Sequence, residues 1–187
     1  SHVFVLDVPS YAKPLLITDA AINIAPDFAA KVDIIQNAID LAHALGIARP
    51  KVAVLSAVET INPKLPSSMD AAALSKMADR GQITGGLVDG PLAFDNAISL
   101  AASKTKGIDS EVAGDADILM VPDLESGTML TKQLTYLGGA QAAGLVMGAS
   151  VPIVLTSRAD STHSRIASCA LALLVTHPKH LLASSTA

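Results

Sequence analysis

Short apolar runs rich in Val, Ile and Leu alternate along this chain with segments whose apolar residues recur every three to four positions. That alternation constrains the fold most, because parallel strands need a long crossover between them, usually a helix. Residues 3–6 and 15–18 read as two strands joined by a Pro/Lys turn, a hairpin. Pro26 falls at a first helical position, Phe28, Val32, Ile35, Ile39 and Ala42 follow at helical spacing, and Gly46 ends the run. Further strands are expected at 51–58, 83–88, 118–121 and 151–156. Further helices are expected at 70–80, 93–104, 128–137, 140–147 and 161–176, with a loop at 62–68. The reading is α/β, a three-layer domain with a largely parallel sheet covered on both faces.

The core has to be aliphatic. Apolar residues make up 50% of the 187, aromatics only 3%, and Trp is absent, which favours Ala, Val, Ile and Leu in tight helix-on-sheet layers. Charged residues are 16%, against roughly 25% in ordinary domains, so part of the surface is expected to be covered by another domain or by a second copy in a homodimer. The length suits one domain. A net charge of −4 and scattered basic residues exclude a nucleic-acid surface. No apolar run reaches the roughly 18–20 residues of a membrane span, and no secretory signal opens the chain, so a cytoplasmic location is expected. The lone Cys169, set among Ala, Ile and Leu, reads as a small buried hydrophobe in a reducing compartment. The chain opens directly in a strand and reads as the back part of something longer, with Ser1-His2 as a tag remnant and a frayed tail after Pro178.

Three polar segments follow apolar runs: Asp89-Gly90-Pro91, Pro122-Asp123-Leu124-Glu125-Ser126-Gly127, and Ser157-Arg158-Ala159-Asp160-Ser161. In a parallel sheet such segments emerge at one edge, outside the carboxyl ends of the strands, where ligands gather. Each also has a purely structural reading. Asp-Gly-Pro is a common turn, Ser126 or Thr128 suits a helix cap, and Asp160 and Ser161 suit caps of the last helix. Arg158 is one of only four arginines, and its forked donors match phosphate oxygens unless a nearby carboxylate takes them. Ser157 lacks the Gly-x-Ser-x-Gly surroundings of a nucleophile elbow and reads as a hydrogen-bond donor. Asp160, Ser161 and His163 are too close in sequence to form a hydrolytic triad, and His177 with His180 lacks a third ligand for a metal. No metal or bound cofactor is expected.

Taken together, these segments resemble the phosphate acetyltransferase/phosphate butyryltransferase family. The resemblance is carried by residues 87–92 with Asp95, by residues 116–127, by Leu137-Gly138-Gly139-Ala140, and by Pro152 through Arg158. It implies an acyl group moving between coenzyme A and inorganic phosphate, with coenzyme A as substrate. It implies a fold like the isocitrate/isopropylmalate dehydrogenases, in which this whole chain, 1–187, is the second domain with its C-terminal helix and the family's front domain is absent. On the family pattern Ser157 hydrogen-bonds near the thioester sulfur, and Arg158 binds phosphate or stabilises the oxyanion. Asp89, Gly90, Pro91, Glu125, Ser126, Gly127 and Ser164 fall on substrate-binding segments. Acetyltransferase members carry an Asp as base seven residues after the Ser; here that position is Ser164, and Asp160 is the substitute. Residues 20–32 and 82–86 are similar to a branch fused to a hydratase-like domain.

Two other readings compete. Similar domains appended to some malic enzymes serve assembly and acyl-CoA sensing without catalysis. A dehydrogenase of the related fold is the third, disfavoured by the lack of a metal-binding Asp set.

Overall fold

The computed structural model describes residues 1–176. His177, His180 and the tail after Pro178 lie outside the described residues. Six strands form one sheet: β1 (His2–Asp7), β2 (Leu15–Thr18), β3 (Lys51–Leu55), β4 (Leu87–Leu92), β5 (Ile118–Met120) and β6 (Gln141–Val146), in the order β4-β3-β5-β2-β1-β6. Strands β4, β3, β5 and β2 are mutually parallel, and β1 is antiparallel to both β2 and β6. Five of the six strands therefore share one direction, and the expected hairpin of β1 and β2 is the one reversal.

Side chains on successive strand positions enter different cores. Leu16, Val52, Val54, Ile118 and Met120 join one cluster, while Leu15, Ile17, Ala53, Leu55 and Leu119 join the other. Both faces are buried, which is why these strands read as unbroken apolar runs rather than as alternating ones. Helices α1 (Phe28–Ala44), α2 (Pro66–Asp79) and α6 (Thr162–Thr176) cover the first face. Helices α3 (Phe94–Ile98), α4 (Leu100–Thr105) and α5 (Leu124–Tyr136) lie on the second side, where Ala97, Leu130 and Leu134 pack. The α/β three-layer architecture is as the alternation predicts.

Several boundaries differ from the sequence reading. Residues 140–147, expected as a helix of small residues, contain β6. Its six residues pair in register with β1, from His2 opposite Val146 to Asp7 opposite Gln141, and that pairing overrides the helical preference of Ala and Leu. The expected last strand at 151–156 is irregular, with a single antiparallel bridge from Val146 to Ile153. Asp89-Gly90-Pro91 is no turn but the middle of β4, on the edge of the sheet, where a Pro costs no ladder donor. A Cβ on Gly90 would come within 2.7 Å of the Val54 carbonyl oxygen, so only Gly lets β4 lie this close to β3.

The helix expected over 93–104 is split at Ser99, which stays extended and caps α4 by accepting the Ala102 N–H. Asp27 is the N-cap of α1, and α2 begins at Pro66, inside the expected loop. Cys169 is exposed on α6 rather than buried. His2, read as part of a tag, is a fully buried residue of β1.

Candidate functional site

The Ser157-Arg158 turn is built by its own backbone. The Ser157 N–H donates to a carboxylate oxygen of Asp160 at 2.7 Å, and the Asp160 N–H donates back to the Ser157 carbonyl at 3.1 Å. The Ala159 N–H donates to Ser157 Oγ at 3.3 Å. This closed loop turns the Arg158 side chain outward. The guanidinium is exposed and, among the described residues, has no carboxylate partner, so the salt bridge that would account for it structurally is not made. Asp160 is half-buried, and one of its oxygens is committed to the turn. Ser164 sits in the first turn of α6, its N–H donating to Ser161 Oγ and its hydroxyl accepting from Ser161 Oγ at 3.2 Å. The position matched to the base is thus occupied by a serine whose backbone N–H is capped by Ser161.

The turn is anchored to β1. His2 is buried, and its Nε2 donates at 3.0 Å to the carbonyl of Leu155, two residues before Ser157. Burial pushes the His2 ring below its ordinary value, against the opposing pull of the Leu155 carbonyl and of Asp19. The ring meets Phe4 edge-on at 4.4 Å. Asp19, at the carboxyl end of β2, is 2% exposed and accepts from the N–H groups of His2, Ala21, Ile22 and Asn23 and from the Asn23 amide. Burial alone would raise its carboxyl, but these donors outweigh it and hold Asp19 below the usual carboxylate range. Sequence reasoning missed both residues. The signal available was a His and an Asp flanking otherwise apolar strand runs.

Helix α5 supplies the facing wall. Asp123 is its N-cap, accepting the Ser126 N–H at 2.8 Å, and Glu125, Ser126 and Gly127 form the first helical turn rather than a loop. A Cβ on Gly127 would stand 2.8 Å from Ala20 Cβ and from Val121 Cγ2, so Gly lets the helix press against the ends of β2 and β5. Thr128 then donates to the Ala20 carbonyl at 2.8 Å. Ser157 and Asp160 share with Phe4, Thr131 and Ala142 a cavity of about 90 Å³.

The third expected segment does not join this group. Asp89 lies on β4, five strand positions from β6, a separation of about 24 Å at ordinary sheet spacing. Its carboxylate accepts the Gly90 N–H and borders a different hollow, with Ser75 of α2 and Asp109. Within this chain the structure brings the Ser157 turn and α5 together and leaves Asp89-Gly90-Pro91 apart. No helix among the described residues is long and apolar enough to cross a membrane.

The family model described as "Phosphate acetyl/butaryl transferase" matches residues 1–173. The chain is 66% identical over 174 residues to a phosphate acetyltransferase of Rhizobium meliloti, covering 93% of this chain and 55% of that protein. It is 51% identical over 175 residues to a phosphate butyryltransferase of Clostridium acetobutylicum, covering 94% of this chain and 58% of that protein. Among solved structures, a branched-chain phosphotransacylase from Enterococcus faecalis V583 superposes with a TM-score of 0.87 at 42% identity, over 95% of this chain and 63% of that one. The chain thus spans little more than half the length of the curated relatives it matches. Matched from His2 on β1 through the Ser157-Arg158 turn and into α6, it belongs to the phosphate acetyltransferase/butyryltransferase family.

Proposed function

We propose that this chain is the part of a phosphate acyltransferase that carries the Ser157-Arg158 turn, acting with a front domain of the kind its longer relatives have room for. The substrates are a short acyl-CoA and inorganic phosphate, with coenzyme A as substrate and no bound cofactor. The observation that carries this reading is the exposed guanidinium of Arg158, without a carboxylate partner among the described residues, on a turn preformed by Asp160.

A phosphate oxygen attacks the thioester carbonyl carbon and the carbonyl electron pair moves to oxygen. The oxyanion collapses, the carbon–sulfur bond breaks, and its electron pair leaves on the thiolate. The proton given up by phosphate ends on sulfur, so acyl-CoA and phosphate yield acyl phosphate and CoA. No covalent enzyme intermediate is needed, only two anions held in near-attack geometry and a fixed positive donor. Arg158 supplies that donor, Ser157 hydrogen-bonds the departing sulfur, and Asp160 takes the part of the base. A base contributes about 10²–10⁴-fold, so an enzyme with Ser164 at the usual position is slowed rather than silenced. The reading extends to a cytoplasmic homodimer, with a fused hydratase-like domain in the full polypeptide.

The test is phosphate-dependent CoA release from acetyl-CoA and butyryl-CoA by the protein carrying this chain with its front domain. Arg158→Ala is expected to lower catalytic efficiency by about 10²–10³-fold, the scale of losing one oxyanion donor. Unchanged efficiency in that variant would reject the site. Binding of acetyl-CoA without turnover would instead favour an acyl-CoA-sensing domain.

A further inference from the structure

The Ser157-Arg158 turn is closed on itself but only lightly tied to the fold. The run before it makes a single bridge, from Val146 to Ile153. Among the described residues, the stretch 154–160 is hydrogen-bonded to the rest of the chain at two points. Arg165 of α6 donates to the Arg158 carbonyl at 3.4 Å, and the His2 ring donates to the Leu155 carbonyl at 3.0 Å. The two ties are unequal. Arg165 is exposed, its side chain is rich in rotamers, and its contact lies beyond the ordinary length of an N–H···O bond. His2 is fully buried.

His2 has little freedom left. Its N–H donates to the Asp19 carboxylate at 3.2 Å, and its carbonyl accepts from Thr18 Oγ1 at 2.9 Å. The ring meets Phe4 edge-on and stands against Gly144 of β6, where a Cβ would come 2.7 Å from Nε2 and 3.0 Å from the Leu155 oxygen. Only Gly admits the ring and the carbonyl together there. Gly144 is held in turn, its N–H donating to Ser168 Oγ of α6 at 2.9 Å. A carbonyl can only accept, so the ring proton is on Nε2. The upstream end of the turn is thus referred to the sheet through one short, fixed side chain.

We infer that His2 is a positioning residue of the transfer reaction: through the Leu155 carbonyl it sets where Ser157 and Arg158 stand against the reacting atoms, and it touches no substrate itself. This rests on the acyl-transfer reading above and adds a residue that acts through the turn. Near-attack geometry tolerates little error, since a displacement of about 1 Å can cost roughly 10²-fold in rate. Ser157 and Arg158 act on charge that develops as the carbonyl opens and the sulfur leaves. Their misplacement therefore lowers kcat rather than raising KM.

Steady-state rates with acetyl-CoA and inorganic phosphate test this in the protein carrying the chain with its front domain. His2→Leu is expected to lower kcat by about tenfold or more, with both KM values held within about threefold. His2→Gln, whose amide nitrogen reaches the place of Nε2, should restore the rate, and His2→Asn, one carbon shorter, should not. Ser99→Ala, which removes the cap of α4, should lower stability and leave kcat alone. In an Arg158→Ala background His2→Leu should cost no more than about threefold, because the group it positions is gone. An unchanged kcat in His2→Leu, or the same fold-loss in both backgrounds, would overturn the inference. Hydrogen exchange reads the tie without turnover: His2→Leu should speed the amides of 157–160, and His2→Gln should not. Exchange there that matches the unmodified protein in both variants would overturn it as well. Failure of the unmodified protein to make acyl phosphate would instead defeat the parent reading, with the exchange result still deciding whether His2 holds the turn.

Discussion

Gly127 and His2 show how single side chains set the geometry of the turn and its facing wall. A methyl group on Gly127 meets Ala20 and Val121 at 2.8 Å, and both neighbours are buried, so neither can give way cheaply. Gly127→Ala is expected to destabilise the chain by about 1–3 kcal/mol, read as a lower urea midpoint. His2→Leu removes the donor to the Leu155 carbonyl and should cost about 1 kcal/mol, whereas His2→Gln, which can still donate from its amide, should recover most of that loss. Equal midpoints for the two His2 variants would show that the hydrogen bond carries no weight. Sequence reasoning found Ser157, Arg158 and Asp160 because an apolar run ends abruptly there. It passed over His2 and Asp19, whose importance lies in backbone groups that come near only when β1, β2 and the 155–161 segment are folded together.

Among the elements, α5 is the best defined by local chemistry. Asp123 adopts an extended conformation, accepts the Ser126 N–H, and starts a helix whose threonines face the cavity. Asp123→Ala should cost about 1 kcal/mol and loosen the first turn of α5, seen as faster amide exchange near residues 124–127 with little change in β1 or β6. Uniform acceleration across the sheet would argue that the cap serves global rather than local stability. The strands at the sheet margins were the least legible. β4 contains Gly and Pro, and β6 contains Ala, Gly and Gln, so neither carries a β-branched signature apart from single valines. Both are strands because a neighbour offers partners: β1 an unbroken row of six to β6, and β3 a row to β4 that shifts register after Asp89. The 151–156 run has that signature yet forms only one bridge, because it lies outside the last strand of the sheet.

Across the whole molecule, the ionisable groups that hold the sheet ends together give stability a defined acid dependence. His2 is held below its ordinary value of 6.5, so the unfolded chain takes up that proton first. Stability is therefore fully present above 6.5 and is lost as pH falls through and below it. Asp19 is likewise held below 3.8; Asp115 is held below 3.8 by the ammonium groups of Lys13 and Lys51. Their contribution is present above 3.8 and is lost as those carboxylates protonate. Urea midpoints measured from pH 8 down to 3 should fall in two stages, and His2→Gln should flatten the first alone. A midpoint that stays level between pH 7.5 and 5 would contradict the burial of a neutral His2.

The amino-acid sequence by itself determined the layers. Unbroken aliphatic runs demand burial on both faces, helical spacing supplies the covers, and too few aromatics leave no other kind of core. The residues of the family's motifs were readable for the same local reason, since each interrupts an apolar run with groups that cannot stay buried unpaired. What tertiary structure decided was adjacency. Strand order put β6 and the Ser157 turn at the end of the sheet away from Asp89, and chain reversal in β1 brought His2 beneath Leu155. Neither is encoded in any one segment, because strand order and direction depend on which edges remain free when the crossovers have closed.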